Sequence, residues 1–159
     1  MAVLEPGAPF PPLALSDERG KPIDAPSGET LYAIFKTTCP TCELTWPFLD
    51  RIRRASPSGL RILAVSQDDP SKTAAFYKRL GVGLETAYDP EPWTASDELG
   101  VENVPTLLRV SPKGVVEETI VGFDRARMEG LSKRAAALAG RPAAPLFRAD
   151  EHVPAIKPG

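Results

Sequence analysis

The sequence predicts one α/β domain in which a mixed central sheet lies between helices. Strand-length apolar runs alternate along the chain with segments of helical spacing and helix punctuation, and that alternation builds sheets with parallel members. The final repeat breaks the alternation with two consecutive strands before a last helix, which makes part of the sheet antiparallel. At 159 residues, 42% hydrophobic and 25% charged, the chain is long enough to bury a core of its own.

The elements follow in order. "LALSDERGKPI" reads as an N-terminal hairpin with its turn at Asp17–Gly20. "TLYAIFK" and "LRILAVS" are continuous apolar runs suited to strands buried on both faces. Between them Leu44, Phe48, Ile52 and Ala55 recur at helical spacing, and Ser56-Pro57 ends the helix. Asp69 as N-cap, Pro70 at the first helical position and Gly81 beyond the last delimit a second helix. "LETAYD" is a short strand, and "TASDELG" a short helix whose Thr94 and Asp97 have capping-box spacing. "TLLRV" and "GVVEETIVG" flank an "SPKG" turn. Asp124 caps a last helix with Met128, Leu131, Ala135 and Leu138 on one face, ending at Gly140. Residues 1–140 therefore form the domain. Residues 141–159 form a proline-rich tail, with Arg148–Gly159 expected to lack order.

A formal net charge of -2 with mixed signs and no basic stripe argues against nucleic acid. No run reaches the roughly 18 apolar residues that cross a bilayer, and "MAVLEPGAPFPPLAL" lacks the regions of a signal peptide. The chain as written is expected to be soluble and monomeric, with its compartment open.

Both cysteines, Cys39 and Cys42, lie between the first buried strand and the first long helix. A structural zinc site needs about four ligands, whereas there is no second cysteine pair and the single histidine, His152, is in the tail. A passive CxxC disulfide closes a very short loop and stabilises little. A cycling dithiol fits best. At a helix N-terminus the free backbone N–H groups and the helix dipole favour a thiolate at Cys39. Cys42, one turn further in, is placed to resolve a mixed disulfide. Lys36 is a candidate for adding positive charge nearby.

The ordered set of residues around this pair resembles the thioredoxin-like superfamily. Pro47 lies five residues after the second cysteine, where the family's active-site helix carries a proline. "NVPTLLRV" supplies the Val104-Pro105-Thr106 of a cis-proline loop, followed by a strand, the turn, a second strand ending in Val121-Gly122, and the terminal helix. The hairpin at the start and an αβ unit inserted at about Asp68–Gly100 resemble those of TlpA/ResA-type redoxins and the related AhpC/TSA group. The likeness covers roughly residues 5 to 140. It implies a three-layer α/β/α fold and a thiol–disulfide oxidoreductase in which Cys39 attacks and Cys42 resolves. Thr38, Pro40, Thr41, Val104 and Pro105 would contact protein substrates, while Pro47, Thr106 and Gly122 would support the site. The redox-active Cys39–Cys42 disulfide would serve in place of any cofactor, with protein thiols or disulfides and a separate redox protein as partners.

Several positions depart from the family. Thr38 replaces the usual tryptophan, and Ala33 stands where an aspartate is often buried beneath the second cysteine. Glu43, Glu98 and Glu102 are candidates for an acid near the site. Trp46 and Phe48 are expected in the core, and Trp93 is a candidate substrate contact in the inserted unit. A peroxidase of the AhpC/TSA type is the main alternative, but it needs Ser or Thr three residues before the cysteine and Pro seven before. Those positions hold Lys36 and Tyr32. A Cu(I)-handling CxxC protein is a third reading, without a Met/His cluster to support it.

Overall fold

The computed structural model describes residues 2–159. Its centre is a five-stranded sheet built from β1 (Thr30–Phe35), β2 (Arg61–Ser66), β3 (Thr86–Tyr88), β4 (Thr106–Val110) and β5 (Val116–Val121), in the order β3-β2-β1-β4-β5. β1, β2 and β3 run parallel, and β4 and β5 are antiparallel to their neighbours, so the sheet is mixed as predicted. β1 lies at the centre with every residue buried, which is why its sequence has no polar alternation.

Three long helices cover one face: α1 (Pro40–Ala55), α2 (Pro70–Leu80) and α4 (Arg125–Leu138). Leu31, Ala33 and Phe35 of β1 meet Trp46, Leu49, Phe76, Met128 and Leu131 there. Tyr32 and Ile34, pointing the other way, pack beneath α3 (Thr94–Glu98) and the N-terminal segment through Leu15, Ala95 and Leu99. The third layer is thus one short helix and extended chain, because the N-terminal apolar residues alternate with prolines that cannot sustain a helix.

Helix punctuation behaves largely as predicted. Asp69 accepts from Lys72 N at 2.8 Å, Asp124 accepts from Arg127 N at 3.1 Å, and Gly81 takes the left-handed conformation that ends α2. Four details differ. The N-terminal hairpin is reduced to its turn, with isolated bridges from Ser16 to Pro22 and Tyr88 and no strand pair. Thr94 does not cap α3: Trp93 holds the N-cap position without a side-chain bond. The carboxylate of Asp89 instead accepts from Ala95 N, Ser96 N and the Ser96 hydroxyl at 3.1, 2.8 and 2.7 Å. Ala55 and Leu138 are exposed, so the buried stripes of α1 and α4 stop one turn early.

The tail is the largest difference. Residues 141–159 are irregular, as their prolines require, but they lie packed on the domain. Leu146 and Phe147 are buried in the main core, with Phe147 packed on Phe48. Arg51 grips Glu151 through two bonds of 2.7 and 2.8 Å. β6 (Phe123–Asp124) pairs antiparallel with β7 (Ile156–Lys157).

Candidate active site at the cysteine pair

β1 ends at Phe35, and the chain turns through Lys36–Thr38 before entering α1. Asp68, just past the end of the neighbouring β2, fixes this turn: its carboxylate accepts from the Thr37 backbone N–H and hydroxyl at 2.7 and 2.8 Å. Cys39 is the N-cap of α1, with Pro40 first in the helix, where a missing N–H costs nothing. The Cys42 backbone N–H donates to Cys39 Sγ at 3.1 Å. This is the capping geometry of Ser or Asp with sulfur in the acceptor role. Thr38 and Pro40 are exposed, Cys39 is half-buried and Cys42 fully buried.

The two thiols differ because their surroundings differ. A hydrogen bond from the Cys42 side chain, followed by the backbone N–H groups of Cys42 and Thr41 and the charge of Lys157, brings the Cys39 thiol down from 9.0 to about 6, against the opposing effect of burial. Burial pushes the Cys42 thiol the other way, well above the ordinary range. One cysteine is therefore an accessible thiolate near neutral pH and the other a buried thiol.

The loop before β4 faces the pair. The Val104-Pro105 peptide is cis, and the Val104 carbonyl accepts from the Cys39 thiol at 3.3 Å. Thr106 is buried, and its hydroxyl donates to Asn103 O at 2.7 Å, bracing the loop. Gly122 N donates to Pro105 O at 2.8 Å from a left-handed conformation. α1 runs through Pro47, whose ring nitrogen leaves the Glu43 carbonyl without its helical donor.

The other candidates are distributed less tightly. Ala33 is core. Glu43 is exposed and pairs with Arg79 at 2.6 Å. Glu98 is exposed on α3. Glu102 lines a polar cleft of about 250 Å³ beside Val104, together with Lys36, Gln67, Trp93 and Ser96. Lys36 lies over the Trp93 ring at 4.8 Å, and the positive charge acting on Cys39 is that of Lys157. Trp93 donates from its indole N–H to Gln67 O at 3.0 Å, at the rim of the same cleft. Trp46 and Phe48 are core residues, and His152 is exposed. A larger apolar cleft, about 290 Å³ and lined by Phe10, Leu15, Ile23, Tyr32 and Val110, is on the opposite sheet face and shares no residue with the cysteine site.

Sequence reasoning missed Asp68 and Lys157. Asp68 had a signal, since loops leaving the carboxyl ends of adjacent parallel strands converge. Lys157 had none, because nothing local ties it to a helix more than a hundred residues earlier.

No protein-family model and no curated protein matches the sequence. Solved structures do match its shape. A candidate thiol:disulfide interchange protein DsbE of Chlorobium tepidum superposes with a TM-score of 0.73 at 22% identity, over 86% of this chain and 99% of that one. A thiol:disulfide interchange protein from a Bacteroides species gives 0.70 at 15% identity, over 86% and 91% of the two chains. A secreted Mycobacterium tuberculosis disulfide oxidoreductase gives 0.65 at 16% identity, over 79% and 96%. These likenesses establish the fold as thioredoxin-like. Among the described residues, no helix is long and apolar enough to cross a membrane.

Proposed function

We propose that the protein is a thiol–disulfide oxidoreductase acting on protein substrates through the Cys39–Cys42 couple. The observation that carries this reading is the asymmetry of the pair: an acidic, half-exposed Cys39 at the helix N-terminus and a buried, basic Cys42 one turn behind it. The nucleophile in disulfide exchange is the thiolate, and the resolving thiol must stay protonated until it is needed.

In the reductive direction, the Cys39 thiolate attacks one sulfur of a substrate disulfide. A Cys39–substrate disulfide forms and the other substrate sulfur leaves as thiolate. Cys42 then gives its proton to that thiolate and attacks Cys39 Sγ, forming the Cys39–Cys42 disulfide and releasing the second substrate thiolate. Two electrons have passed to the substrate, and a dithiol partner must return them. Thr38, Pro40 and Thr41 border the attacking sulfur, and Val104-Pro105 offers backbone opposite it. Pro47, Thr106 and Gly122 hold these parts in place. The structural neighbours named as disulfide oxidoreductases or interchange proteins support the same chemistry.

The peroxidase alternative finds less support. Tyr32, buried against Phe10, stands where that chemistry needs a proline, and Lys36, drawn to Trp93, stands where it needs the hydroxyl of Ser or Thr. The test is reaction of the reduced protein with insulin. Wild type should exchange and become oxidised at Cys39–Cys42, whereas Cys39→Ser should lose essentially all exchange. Undiminished exchange by Cys39→Ser would refute the assignment.

A further inference from the structure

Residues 155–159 follow a path that the exchange reaction has to contend with. Ala155 O accepts from Arg125 N at 2.9 Å, and Ile156–Lys157 pair with Phe123–Asp124. The chain next passes over Gly122 so closely that a β-carbon there would lie 2.7 Å from Lys157 O and 3.3 Å from Pro158 Cα. The Pro158 carbonyl accepts the Thr41 hydroxyl at 2.6 Å. Gly159 lies against Val104, where a β-carbon on Gly159 would overlap the Val104 carbonyl oxygen. That oxygen is the one accepting from the Cys39 thiol. The segment thus touches all three parts that frame the nucleophile: the first turn of α1, the cis-proline loop and the Gly122 turn.

From this we propose that Ala155–Gly159 is an internal occupant of the groove in which an extended stretch of a substrate protein lies, so that a disulfide-bearing polypeptide must displace it to reach Cys39. The inference rests on the exchange reading above. The occupant is extended, uses its backbone carbonyl on Thr41, and has a glycine where backbone meets backbone. These are the features by which an extended peptide of any sequence would be held. It is also held lightly. Ile156 is 63% exposed, Pro158 and Gly159 are exposed, and the ladder with Phe123–Asp124 is only two residues long. Segments with few buried apolar contacts open at low free energy while the core stays folded. A small disulfide needs no groove, and Cys39 is already half-exposed. The segment therefore slows polypeptide substrates selectively.

Gly159→Val in the full chain tests this, because the added side chain cannot coexist with the Val104 carbonyl and must lift the end of the segment. Glu151→Ala, which removes the Arg51 anchor upstream, is the second variant and lies outside the cysteine site. Pre-reduced proteins are mixed with insulin or with hydroxyethyl disulfide at about pH 8, where a thiol titrating near 6 is fully thiolate. The insulin rate should rise about tenfold in Gly159→Val and about threefold in Glu151→Ala, with the small-disulfide rate within about twofold of wild type, since opening is driven by the population of the displaced state. Equal changes for both oxidants, or a slower insulin reaction, would overturn the internal-occupant proposal while leaving the exchange reading intact. Failure of the wild type to react with hydroxyethyl disulfide would instead remove the exchange reading, and the proposal with it.

Discussion

At the scale of single residues, the acidity of Cys39 comes from its neighbours, first of all the Cys42 side chain. Alkylation of the reduced protein by iodoacetamide should therefore titrate with a midpoint near 6, whereas an ordinary thiol titrates at about 8.5. Cys42→Ala removes the foremost contribution and keeps the backbone donors, so its midpoint should move upward by about a unit or more. An unchanged midpoint would assign the acidity to the helix N-terminus and Lys157 without the Cys42 side chain. The cysteine spacing was plain in the sequence because CxxC is local, and so was the cis-proline loop, through its place in an ordered set. Lys157 was not legible, since its contact with the site exists only once the tail has packed. Lys36, the nearest cation in sequence, is instead taken up by the face of Trp93.

Elements were legible wherever punctuation is covalently local. Asp69, Pro70 and Gly81 bound α2 as their chemistry demands. α3 shows the limit of this approach. Its five residues carry an apparent capping box, yet the cap is Asp89, a carboxylate only 1% exposed that reaches the helix from the end of β3. Spacing rules see a hydroxyl three residues from an acid, but the tertiary fold brings in a stronger, charged acceptor. Asp89→Ala would leave Ala95 N, Ser96 N and the Ser96 hydroxyl without their partner in a buried setting. Chemical denaturation should show a loss of at least about 4 kcal/mol, since each of the three bonds to the charged group contributes about 1.5–3 kcal/mol. The alkylation midpoint of Cys39 should stay put, because the groups that set its acidity are Cys42, Thr41 and Lys157 and none belongs to α3. Asp89→Asn should recover part of the loss. The tail was illegible for a related reason. Its prolines and glycines predict irregular chain correctly, but irregular is not disordered when Leu146 and Phe147 are available to the core and Arg51 can grip Glu151.

For the molecule as a whole, the reduced and oxidised forms should respond differently to pH. In the reduced form the Cys39 thiol titrates near 6 in the folded state and at about 8.5 in the unfolded chain. Between those values the unfolded state binds more protons, so stability rises with pH. The contribution is complete above about pH 8.5 and is lost as pH falls through about 6. Cys42 has the opposite sign: burial raises its folded value, so its contribution is present at lower pH and declines once the unfolded thiol ionises, above about 8.5. Urea midpoints of the reduced protein should therefore climb from about pH 6 to about pH 8 and turn over beyond about pH 8.5. The oxidised protein has neither thiol and should lack this climb. The carboxylates held low by arginine, Glu29 and Glu151, titrate below their ordinary 4.5 and in both forms alike. Subtracting the oxidised curve from the reduced one therefore isolates the cysteine pair. A difference curve that is flat between about pH 6 and about pH 8 would mean that Cys39 titrates at the same place folded and unfolded. The asymmetry on which exchange depends would then be absent.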